Sequence, residues 1–128
     1  MKIVTLIARL LLGLVFVVFG LNGLHSFIPQ PPMPQGPALQ FILALSATHY
    51  VHVIFVIQLV AGILFLINRY VPLALTIIAP VIVNILLFHG FMAPSGIVPG
   101  ALVTLFWIIV FISVRSAFAG IFQQKVEG

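Results

Sequence analysis

The stretch VPLALTIIAPVIVNILLFHGFM, residues 71–92, decides the fold. It is close to the roughly 20 apolar residues that cross about 30 Å of hydrocarbon, and it carries no charge. Yet it holds Pro80, Asn84 and His89. In lipid each of these removes a backbone donor or adds a polar group that must find a partner, so each has either a structural or a functional reason.

Three more spans flank it. With boundaries at 3–24, 50–67, 71–92 and 101–119, the chain reads as one all-α domain over residues 1–128, a polytopic membrane four-helix bundle. Composition agrees, since 63% of the 128 residues are hydrophobic, 5% are charged and the mean hydropathy is +1.38. The outer loop at 25–37 contains HSFIPQPPMPQGP, whose prolines forbid helix and favour an extended strap. After it, residues 38–48 are apolar but make only about 16 Å of helix, too short to span. They read as an interfacial half-helix, the alternative being one long tilted helix running on to residue 67.

Charge sets orientation. Lys2, Arg9, Arg69, Arg115 and Lys125 all fall at one end of the four spans, and the two long loops at the other end carry none, which places both termini on the cytoplasmic side. The expected location is a bacterial inner membrane, with Tyr50 and Tyr70 at opposite interfaces. A signal peptide is the alternative for the first span, but the apolar run exceeds an ordinary signal core. Five basic residues against one acid are too few for a nucleic-acid surface, so no nucleic-acid partner is expected. The absence of cysteine excludes thiolate catalysis, disulfide exchange and iron–sulfur ligation by this chain.

The polar residues divide by depth. His25, His49, His52 and His89 all belong to the outer side and form a candidate polar site there. Interfacial histidines ordinarily sit among headgroups, their helical phases do not converge, and no metal site is expected. Deeper lie Gln58, about 12 Å below the outer end of its span, and Asn84, about 10 Å below the end of its own. These two amides are expected to share a layer, as interhelical glue or as ligand donors, with Asn22 above them. Thr76, Pro80 and Asn84 recur every four residues on one stripe, whereas His89 falls about 140° from Asn84. Pro80 is expected to kink the third span. Gln58 and Gly62 share a face on the second span, as do Arg9, Gly13 and Gly20 on the first. Such faces let helices approach closely, and Arg9 is expected to snorkel to phosphates.

These residues carry a resemblance. IARLLLGLVFVVFGLNG at 7–23, FIPQPPMP at 27–34 and NRYVPLALTIIAPVIVNILLFHGFMAPSG at 68–96 resemble the DoxX-like family of small four-helix membrane proteins over nearly the whole chain. The resemblance implies quinone-linked redox chemistry or an accessory role, since relatives include membrane subunits of thiosulfate:quinone oxidoreductase and some assembly chaperones. Relatives often carry a glutamate in the second span where this chain has Gln58, in QLVAG. An amide exchanges hydrogen bonds but does not shuttle a proton.

Two functions are therefore expected. In one, the bundle is a membrane subunit of an oxidoreductase and binds a quinone or similar apolar ligand, with Asn84, Gln58 and Asn22 as polar contacts and Phe88 and Phe55 flanking the ring. In the other, it is an accessory or assembly subunit docked to other subunits of a membrane redox complex, with no ligand of its own. Neither gives the isolated chain turnover.

Overall fold

The computed structural model describes residues 2–29 and 32–127. Its elements are α1 (Lys2–Leu24), α2 (Pro37–Ala47), α3 (Tyr50–Ile67), α4 (Val71–Phe91) and α5 (Ile97–Ser113). A short 3-10 turn, Pro94–Gly96, leads into α5, and a 3-10 helix, Arg115–Phe122, follows it. Four of these helical segments are long and apolar enough to cross a membrane, and α2 is not. The chain is thus an all-helical four-span membrane bundle with one short apolar helix beside it.

Two boundaries differ from the sequence reading. The fourth helix begins at Ile97, not near residue 101, because Pro99 sits in its first turn, where a missing N–H costs nothing. It ends at Ser113, and the chain tightens into the 3-10 helix instead of continuing to residue 119. The half-helix is separate from α3. His49 adopts φ 60°, a left-handed conformation that breaks the helix between Ala47 and Tyr50. Of the proline-rich strap, Gln30 and Pro31 lie outside the described residues.

The helices close a ring in which α1 packs on α3 and α5, and α4 packs on the same two. Leu12, Phe16, Phe65, Leu75, Ile78 and Val110 fill its centre, all essentially inaccessible. Outward, every span shows exposed Leu, Ile, Val or Phe, the surface a bilayer would cover. All five basic residues lie at or beyond one end, the basic end, with Arg9 two turns inside it. The four histidines lie at the other, the histidine end.

The α1–α3 seam is the tightest. A Cβ added to Gly13 would meet the Gly62 carbonyl oxygen at 2.9 Å, and one added to Gly62 would meet the Val17 backbone nitrogen at 2.8 Å. Gly20 sits equally close to the Phe55 carbonyl oxygen and the Leu59 nitrogen, at 3.0 Å. The small-residue face expected for Arg9, Gly13 and Gly20 therefore meets the face carrying Gly62, backbone against backbone.

Candidate functional site

The two deep amides do not meet. Gln58 is the one buried polar side chain among the described residues, 8% exposed, on the α3 face that Gly62 presses against α1. Asn84 is exposed. Its Nδ2 donates to the Pro80 carbonyl oxygen at 2.8 Å, one turn back on its own helix, and Thr76 Oγ1 does the same to the Pro72 carbonyl at 2.9 Å. Thr76, Pro80 and Asn84 are all exposed, so the stripe recognised in the sequence is real but turns outward, away from Gln58. This corrects the expected polar layer. A quinone held between these two amides does not fit the arrangement.

The flanking residues are also engaged elsewhere. The Phe55 ring fills the notch at Gly23, where an added Cβ would come within 2.4 Å of it. Phe88 instead tilts against Phe41 of α2, ring centroids 5.7 Å apart. Asn22 is a structural anchor: its Oδ1 accepts from the backbone N–H of Phe27 at 3.0 Å and of Ile28 at 2.9 Å, pinning the start of the strap to the end of α1.

At the histidine end the four rings have separate surroundings. His25 and His49 are exposed, and His49 lies over His52 with centroids 5.2 Å apart. His52 Nδ1 is buried without a hydrogen-bond partner. His89 Nδ1 donates to the Ala93 carbonyl oxygen at 3.0 Å, closing the turn into α5, while Gly96 leaves room for its ring. Among the described residues, no three His, Asp or Glu side chains gather where a metal could be held.

Arg9 does more than reach for the interface. Its Nη1 donates to the Phe65 carbonyl oxygen, with Leu66 O at 3.5 Å, so a charge on α1 caps the last turn of α3. It also lines a cleft of about 490 Å³ at the basic end between α1, the start of α4 and the end of α5. Lys2 and Arg115 share that wall. Sequence reasoning used Lys2 and Arg115 only to set orientation, and Arg9 also for a helix face and a reach to phosphates; that the three wall one cleft could not be read from their positions along the chain.

A second, smaller groove of about 210 Å³ lies between α4 and α5, lined by Ile82, Val83, Leu86 and Trp107 among others. It is apolar. The Trp107 Nε1 donor is already taken by the Leu75 carbonyl oxygen at 3.0 Å, and Thr104 Oγ1 by the Gly100 carbonyl at 2.8 Å. Compared with known proteins, the chain matches no family model, no curated protein and no solved structure.

Proposed function

We propose that the protein is a non-catalytic membrane subunit of the DoxX-like type, docked to the membrane domain of a redox complex through the outward face of α4. The observation that carries this reading is Asn84 on the exposed surface of a span. One amide hydrogen satisfies Pro80, which leaves the second hydrogen and the Oδ1 without a partner among the described residues. Facing hydrocarbon alone, those groups are costly, whereas a neighbouring helix offering a hydroxyl or amide would satisfy them. The bundle interior supports the same view, because its centre is filled by apolar side chains.

The second reading is an apolar ligand such as a quinone, held on this same outer face with the free Asn84 hydrogen on its carbonyl oxygen. Extraction into native-lipid nanodiscs separates the two. The docked subunit migrates within a discrete larger complex, and Asn84→Leu releases it, whereas Val60→Ala on the exposed face of α3 does not. Migration of the wild type as the bare chain overturns docking. Stoichiometric quinone in its lipid extract, lost with Asn84→Leu, then establishes the ligand reading.

A further inference from the structure

The cleft at the basic end has the construction of an anion site. Lys2 and Thr5 come from the first turns of α1, Arg9 from its third turn, and Arg115 from the segment after α5. No acidic side chain lines it, and the chain's one acid, Glu127, lies in the tail. The hydrogen bond to Phe65 uses Nη1 of Arg9, so its remaining nitrogens are left for a ligand. The start of α4 at Val71 is also on the wall and has no side-chain cap, which adds the positive end of a helix dipole. The end of α5 opposes it there, but Ser113 Oγ donates to the Val110 carbonyl at 2.6 Å and occupies one of its acceptors.

The apolar residues of the cleft set the kind of anion. Val71 and Val110, 5% and 1% exposed, stand on its inner side, and Leu6, on the outer surface of α1, opens it toward lipid. A volume of about 490 Å³ exceeds what a bare ion needs and falls within the roughly 300–1,000 Å³ of small-molecule sites. Cations around a head and apolar wall beyond it match an amphiphile with a phosphate at one end.

We infer that this cleft binds a phosphate-bearing anion, with Lys2, Arg9 and Arg115 on the phosphate oxygens and the apolar wall along whatever that phosphate esterifies. Two sources share this chemistry: the headgroup of an anionic lipid and a soluble phosphate.

The test uses the purified full chain in two arms. In the first, native mass spectrometry compares retention of phosphatidylglycerol with phosphatidylcholine of the same acyl chains. In the second, inorganic phosphate is titrated onto delipidated protein at constant ionic strength, and the shift in unfolding temperature is read. Preferential phosphatidylglycerol retention identifies the lipid source, and a saturable phosphate shift identifies the soluble one. Either supports the site. Lys2→Gln with Arg115→Gln lowers that binding about tenfold or more, since two of the three cations that line the cleft are removed. Both residues are exposed, and Arg9 stays in place to cap α3, so the fold is retained. Arg115→Lys keeps the charge and keeps binding. Lys125→Gln, outside the cleft, changes nothing. Equal retention of the two lipids without any phosphate shift overturns the inference, as does a loss with Lys125→Gln matching that with Arg115→Gln, which would mean diffuse attraction to charge.

Discussion

The α1–α3 and α4–α5 seams join helices of much the same length and hydropathy, yet one is closed to backbone contact and the other leaves an open groove. The difference lies in a few small residues. Along α1–α3, Gly13, Gly20 and Gly62 bring main chains together, and Arg9 ties the helix end of its neighbour. Along α4–α5, the glycine at 100 meets only side-chain methyls of Ile85 and Leu86, and an indole hydrogen bond spans the gap. Apolar content decides that a helix enters the membrane. Since lipid is as apolar as leucine, it does not decide which helices pair, and small residues and polar ties do so.

The sharpest break of this comparison is a matched pair of glycine substitutions. Gly62→Ala places a methyl 2.8 Å from backbone and should cost about 1–3 kcal/mol, as overpacking does. Gly100→Ala meets no backbone, only the side-chain methyl Ile85 Cγ2 at 3.2 Å, which must give by a few tenths of an ångström, and gains up to about 1 kcal/mol of helix propensity, so its net cost should be the smaller. Reversible unfolding in mixed micelles reads both. Equal costs would show that the two seams are packed alike.

Arg9→Met ranks beside it. It keeps the long apolar stem and removes the donor from the Phe65 carbonyl, so a loss of about 1.5–3 kcal/mol is expected, the range for hydrogen bonds to charged groups. Arg9→Lys should recover part of it. An unchanged unfolding midpoint for Arg9→Met would leave the glycines alone responsible for the seam.

Much of this architecture was legible beforehand. The apolar run at 50–67 marks the second span, and the helix occupies those residues. The Arg9, Gly13 and Gly20 face was legible because three small or special residues at helical spacing stand out against leucine. The direction of the Asn84 stripe was not. A periodic pattern fixes which residues share a face but not which way that face points, and in a span apolar all round no hydrophobic side marks the interior. The basic cleft was hidden for another reason. Its cations come from the two ends of the chain and its wall also from the start of α4, and charges read along a sequence report sidedness, not proximity.

On the α4–α5 side, Trp107→Phe keeps most of the ring and its stack on Phe111, 5.2 Å between centroids, but loses the bond to the Leu75 carbonyl oxygen. The cost should be about 0.6 kcal/mol and at most about 1.7, as for other interhelical hydrogen bonds in membranes. A loss as large as that of Arg9→Met would mean that this seam too depends on a single tie.

The smallest effect belongs to Asn84→Leu, and its smallness is what makes it informative. Were Asn84 paired with Gln58 inside the bundle, as its helical position invites, replacing it would cost about 0.6–2 kcal/mol. In the structure the side chain is exposed and its hydrogen bond closes on Pro80 of its own helix. That carbonyl keeps the backbone N–H of residue 84 as its ordinary helical donor, so nothing buried is orphaned when the amide goes. The unfolding free energy of the isolated chain should therefore move by less than about 0.5 kcal/mol, as for surface substitutions. A loss of 1 kcal/mol or more, by the rough scale of an interhelical bond, would place Asn84 in a seam after all. A neutral result in micelles, together with loss of the larger complex in nanodiscs, would assign the residue to what lies outside the bundle: α1 and α3 hold the fold together, and α4 faces a partner.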